Sequence, residues 1–159
     1  MHLLGTDGLR KLWANPCHRG AVSVQASGVL VGDPSDVIDP RLELFRTTAV
    51  KSPWVRVSLH TVAVCPTHYT LGVVRGGAHR PTCWVLQASL DKRQWRTLDS
   101  RVGDGGLLGD DAVVATYVIH DAATSYYRHF QVVLTDVNIS GNHILSVSGF
   151  ELFGAITVL

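Results

Sequence analysis

Three cysteines and eight histidines are the residues of this chain best suited to metal or nucleophile chemistry. One grouping has the composition of a zinc site: Cys65-Pro66-Thr67-His68 together with His79 and Cys83 four positions on. Two thiolates and two imidazoles would complete a tetrahedron. The pairs bracket the apolar run His68–Val74, which, if fully extended, holds them roughly 20–25 Å apart. Packed cysteines and ordinary polar histidines are therefore expected, and no metal. Ser146 and Ser148 share a strand face, but no His–Asp pair is assignable to them. There is no nucleophile elbow, no phosphate-cradling glycine loop ahead of a helix and no helical metal motif. The residues announce neither catalysis nor a cofactor.

What remains is recognition chemistry. Arginine outnumbers lysine eleven to three, and its planar fork suits carboxylates, phosphates and aromatic faces. Arg75, His79 and Arg80 lie in a glycine-rich stretch, and Asn138, Asn142 and His143 in a second polar one. The value of these groups depends on which elements hold them.

Those elements read as strands. Short runs rich in Val, Thr, Tyr, Phe and Trp sit between turn signals throughout the chain. Eight strands are expected, at about 22–26, 54–60, 68–74, 84–90, 95–98, 113–119, 127–135 and 144–153. Alternation puts Val55, Val57 and Leu59 on one face, Trp84, Leu86, Ala88 and Leu90 on another, and Phe130, Val132 and Leu134 on a third. This is the pattern of antiparallel sheets with one buried face. No amphipathic helix longer than two turns is evident; the best short candidate is 6–13. The fold class expected is all-β, an antiparallel β-sandwich or jelly roll. Trp54, Trp84 and Trp95 open strands with apolar partners and are expected as core or barrel-end plugs, and segment 27–53 as a long loop.

Strand parity then sorts the loops. Consecutive antiparallel strands alternate direction, so loops 27–53, 75–81, 99–112 and 136–143 share one end, the top. The turn 61–66, the hairpin tip 91–94 and segment 120–126 share the other. The long polar loops thus collect at the top. Binding surfaces are commonly built from loops on a rigid scaffold, so Arg75, His79, Arg80, Asn138, Asn142 and His143 are the expected binding residues. Arg75 and Arg80 are the expected anchors. Both chain ends are expected at the bottom.

Composition narrows the partner. With 159 residues, 46% hydrophobic and 17% charged, the chain can bury a core and is not a disordered linker. A net charge of +1 gives no bulk attraction to nucleic acid. No apolar run reaches the roughly 18–20 residues that span a bilayer, and the N-terminus does not read as a signal peptide. Cys17, Cys65 and Cys83 are odd in number and far from the ends, unlike a secreted disulfide framework. Free thiols and a cytoplasmic (intracellular) setting are expected.

The order of motifs resembles the discoidin-like (coagulation factor 5/8 C-type, galactose-binding-like) domains of intracellular proteins. The nearest likeness is to the version in a large HECT-type ubiquitin ligase, with relatives among BTB-domain proteins. The matching pieces are GTDGLRKLWANP (5–16), the 20–27 strand, SPWVRVSL (52–59), PTHYTL (66–71), RGG (75–77), WVLQASLDKRQW (84–95), YYRHFQVV (126–133) and NISGNHILSVSGFELFG (138–154). Together they cover nearly the whole chain. Gly72 stands where the family tends to carry a basic residue, and Ser58-Leu59-His60 where it tends to end a strand on Asp-Leu-Gly. The terminal cysteine pair of secreted members is absent. The resemblance implies one galactose-binding-like domain over 1–159, with 1–20 as an arm packed on the barrel. It implies a non-catalytic module whose loops at one barrel end bind a protein partner, as an adaptor in a ubiquitin-ligase-type or other large assembly. The alternative is a glycan-binding module on the same fold.

Overall fold

The structure, a computed structural model, describes residue 5, residues 12–120 and residues 124–159. Most of the short helical candidate at 6–13, and with it the first part of the expected arm, lies outside them. The strands are β1 (Val22–Ala26), β2 (Trp54–Leu59), β3 (Val62–Val73), β4 (Trp84–Ser89), β5 (Arg96–Arg101), β6 (Val113–Val118), β7 (His129–Leu134) and β8 (Gly149–Val158). They form a five-stranded sheet in the order β1-β2-β7-β4-β5 and a three-stranded sheet in the order β6-β3-β8. Every pairing is antiparallel. Cys17, Cys65 and Cys83 are not joined to one another by disulfides.

The period-two pattern sets the core. Val55, Val57 and Leu59 from β2, Trp84, Leu86 and Ala88 from β4, and Phe130, Val132 and Leu134 from β7 all point inward and are buried. Tyr69, Leu71, Val73, Tyr117 and Phe150 close the core from the second sheet. Leu90, expected to continue the inward row, lies past the end of β4 and is exposed.

Three strands differ from the sequence reading, the first being β5, expected at 95–98, which runs on to Arg101. β3 begins at Val62, because Pro66 does not end it. The register slips between Pro66 and His68, where Pro66 faces Gly154. A bulge is a place where a residue without an N–H costs the ladder little. The strand expected at 144–153 is displaced to Gly149–Val158, since 154–158 finds its partner in the early part of β3. Residues 145–147 serve the loop end instead: Leu145 N–H donates to Thr47 Oγ1, and Ser146 bridges to Arg46.

Segment 27–53 is not a free loop. A 3-10 turn, Pro34–Ile38, is closed by a reciprocal cap between Asp33 and Asp36. It buries Val37 and Ile38, while Phe45 and Thr47 are also fully enclosed. The Asn15 side-chain amide donates to Ser35 O and ties the N-terminal segment to this turn.

Candidate functional site

The pairings confirm the sorting of the loops. Ala26 opposite Val55 puts the end of β1 beside the start of β2, and Trp84 opposite Leu134 puts the start of β4 beside the end of β7. Loops 27–53, 74–83, 102–112 and 135–148 therefore share the top. The tight 60–61 turn and the 90–95 hairpin share the bottom, where Leu159 N–H donates to Thr61 O.

Arg80 is the organiser of the top and is not a surface contact. It is 1% exposed. Its Nε donates to Gly77 O at 3.2 Å, Nη1 to Leu107 O at 2.8 Å, and Nη2 to Val74 O at 3.0 Å and Asp111 O at 2.6 Å. Four carbonyls from two loops satisfy one guanidinium, as burying such a cation requires. Ile139 N–H donates to Arg80 O, which draws in the third loop. The expectation that Arg80 anchors a partner is therefore corrected. Arginine in a loop reads as exposed, but here the loops fold around it.

Asn138 is also buried. Its amide donates to Asn142 Oδ1 and Ile144 O, both at 2.7 Å, and lies 3.3 Å from His79 Nδ1; its Oδ1 accepts from Ser140 N–H. Asn142 and His79, both half-buried, are thereby held in place by Asn138. His143 is exposed. Arg75 is exposed too, 3.4 Å from Asp111 Oδ1, with both side chains more than four-fifths in solvent. A pair so exposed contributes about 0–1 kcal/mol and leaves both ends open to other partners. The fold thus brings Arg75, His79, Asn142 and His143 to the accessible top, with Arg80 and Asn138 beneath them.

The residue reading missed the apolar tips of these loops. Val29, Leu30, Val102, Leu108, Val137 and Ile139 are all exposed. Single Val and Leu residues among Gly and Asp carry no periodic signal, so nothing local marked them.

Below the 102–112 loop lies a cluster of inward-paired polar groups. Tyr69 OH donates to Asp99 Oδ2 at 2.5 Å and accepts from Trp84 Nε1 at 3.0 Å. Arg101 Nε donates to the same Asp99 oxygen at 2.7 Å, and its guanidinium lies over the Tyr117 ring at 4.7 Å. Tyr117 OH donates to Asp104 Oδ1, which also accepts from Gly106 N–H. Burial, together with the neighbouring carboxylates, pushes both phenols well above their ordinary range. These groups brace the loop. Ser146 Oγ donates to Phe45 O, and Ser148 Oγ is buried; neither is hydrogen-bonded to a His or a carboxylate. Among the described residues, no cluster of His, Cys, Asp and Glu suits a metal ion.

Of the expected tryptophan plugs, only Trp84 is in the core. Trp54 and Trp95 are half-buried on the outer face of the five-stranded sheet, one on each side of Arg56. Gly72 has a steric reason. A Cβ there would come within 2.6 Å of Leu42 Cδ2, so this position takes no basic side chain without moving Leu42.

A β-sandwich of two antiparallel sheets, with its long loops gathered at one end, defines the galactose-binding-like (discoidin-like) fold, and the chain has it. Its backbone matches the carbohydrate-binding module CpGH89CBM32-5 from Clostridium perfringens, determined in complex with GalNAc-β-1,3-galactose. The TM-score is 0.65 at 14% identity, over 86% of this chain and 97% of that one. The sequence is 32% identical over 163 residues to the E3 ubiquitin-protein ligase hecd-1 of Caenorhabditis elegans, covering 98% of this chain. It is 34% identical over 162 residues to the E3 ubiquitin-protein ligase Ufd4 of Drosophila melanogaster, covering 96%. The chain spans 6% of the length of each ligase. No family model matches it. Among the described residues, no helix is long and apolar enough to cross a membrane.

Proposed function

We propose that residues 1–159 act as one non-catalytic recognition module that binds a protein partner through the top loops, as an adaptor within a cytoplasmic ubiquitin-ligase-type assembly. Arg75, His79, Asn142 and His143 are the polar contacts, and Val102, Leu108, Val137 and Ile139 the apolar ones. The observation that carries this reading is the surface chemistry of the top. Apolar tips rise from separate loops beside exposed charged and polar groups, which is the make-up of a protein-binding patch. A sugar site is usually built on an exposed aromatic platform, and loops 27–53, 74–83, 102–112 and 135–148 contain no Trp or Tyr. The similarity to stretches of two ubiquitin ligases supports the assembly class.

The test is affinity capture of the protein from its native cells, with quantification of co-purifying ligase-assembly components. A variant carrying Arg75→Ala and Ile139→Ser should lose the specific partners. An anchor in such a patch is worth about 2 kcal/mol, some thirtyfold in affinity. Arg93→Ala at the bottom should leave capture unchanged. If the bottom variant alone abolishes capture, the binding end is wrong. Saturable binding to a glycan array with no protein partner would establish the glycan alternative.

A further inference from the structure

The outer face of the five-stranded sheet is organised around a cation with no anion. Arg56 lies between two indoles, its guanidinium carbon 4.2 Å from the Trp54 ring centroid and 4.8 Å from that of Trp95. Trp95 is fixed by its own Nε1–H donating to Lys92 O. Arg56 Nε and Nη2 both donate to Gln131 Oε1, at 3.1 and 2.9 Å. The donor direction then continues across the sheet: Gln131 Nε2 to Gln87 Oε1 at 2.8 Å, and Gln87 Nε2 to Thr97 Oγ1 at 3.4 Å. The register aligns Gln25, Arg56, Gln131, Gln87 and Thr97 in one row over all five strands.

Among the described residues, no carboxylate meets the head of this row. Arg41, Arg75 and Arg101 each meet a carboxylate. Among the described residues, Arg56 meets none, although partial burial strips it of water. Lys92 and Arg128 lie near the neighbouring His129 and add charge of the same sign. Asp91 in the hairpin accepts Arg93 N–H, Gln94 N–H and Ser89 Oγ–H on Oδ1 and makes no ion pair with Arg56. The side edge of the Arg56 guanidinium is taken by Gln131. Its end edge, Nη1 with the outer Nη2 hydrogen, is left for a ligand and has the fork spacing of a carboxylate. One row further along, Ser58 Oγ and His129 Nδ1 are buried without a partner, opposite one another in register.

We propose that this face is a second binding site, separate from the top loops, which takes an extended acidic protein segment with one Glu or Asp carboxylate on the end edge of Arg56. The indoles orient the guanidinium and shield the ion pair. Gln131 is buried and fixes Arg56 from below, while the half-buried Gln87 and the exposed Thr97 and Gln25 side chains offer donors and acceptors to the backbone of the segment. Five strands span about 19 Å, the reach of roughly six extended residues. Charge complementarity selects the occupant: an unneutralised, partly desolvated guanidinium in a basic neighbourhood favours a carboxylate over a neutral strand or a glycan.

The test is NMR titration of the isotope-labelled protein with three probes. These are a synthetic peptide of alternating Glu and Thr, its Gln-and-Thr counterpart, and a polyphosphate chain. The acidic peptide should saturably shift the indole N–H signals of Trp54 and Trp95, and the neutral one should not. Arg56→Lys keeps the charge but loses the fork, and should weaken binding about tenfold. Trp95→Ala should weaken it as well, and Arg75→Ala at the top should change nothing. Circular dichroism of each variant establishes that the sheet is intact. Three results would overturn the proposal: no saturable indole shift, undiminished binding by Arg56→Lys, or polyphosphate outcompeting the acidic peptide at the same indoles. The last would assign the site to phosphate polyanions.

Discussion

Arg75 and Arg80 are five positions apart and have opposite fates. Arg75 reaches into water beside Asp111, whereas Arg80 is enclosed by the carbonyls of Val74, Gly77, Leu107 and Asp111. Removing the Arg80 guanidinium strands buried acceptors, and a hydrogen bond from a charged donor is worth about 1.5–3 kcal/mol. Arg80→Ala should therefore lower urea-unfolding stability by about 3 kcal/mol or more. Arg75→Ala should shift it by less than about 1 kcal/mol. Equal midpoints for the two variants would show that the carbonyl cage does not hold the loops.

At the scale of elements, the junction of β3 with β8 carries the greatest constraint. Gly154 has φ +154°, and a Cβ there would run into the Cys65 carbonyl. The bulge that absorbs Pro66 thus depends on a residue without a side chain across the ladder. Gly154→Ala must move one of two backbones, and its cost should exceed the roughly 1 kcal/mol typical of point changes. Hydrogen exchange should report it locally, with faster amides along 62–66 and 154–158. Retained protection there would mean that the bulge relaxes around a methyl group.

For the whole molecule, stability should vary with pH in three windows. Burial, aided by Lys92, Arg128, Arg56 and His60, pulls His129 down from 6.5 to about 4. The folded state then holds the neutral imidazole while the unfolded chain takes up a proton. Stability is full above pH 6.5 and falls as pH drops toward about 4. Asp33, Asp39 and Asp91 are held below their ordinary 3.8 by hydrogen bonds from Ser35, Arg41 and the 93–94 amides respectively. What they contribute is lost below that. Tyr69 and Tyr117 are raised, so their contribution is present below pH 10 and is lost as the unfolded phenols ionise above it. Urea midpoints measured across pH should show the native chain losing stability relative to His129→Gln as pH falls from 6.5 to about 4. Parallel curves between pH 4 and 6.5 would remove His129 as the cause.

The two-residue period and the number of chain reversals were legible in the sequence, and they determined a good deal. Alternation assigned Val57, Leu86, Phe130 and Val132 to the interior, because a strand's faces follow from local backbone geometry alone. Counting reversals put the long loops at one end, because each antiparallel pairing inverts direction whatever its register. The parts that needed the tertiary structure all depend on partners far along the chain. Arg80 is a strut because Leu107 and Asp111, 27 and 31 positions away, supply its acceptors. β8 runs from Gly149 to Val158 because Gly149 pairs with Gly72 and residues 154–158 pair with 62–65 and Pro66. Trp54 and Trp95, far apart in the chain, meet at Arg56 only once the sheet is assembled. No local period encodes such encounters. Whether a polar group is spent inside the fold or left for a partner is decided only when distant segments meet.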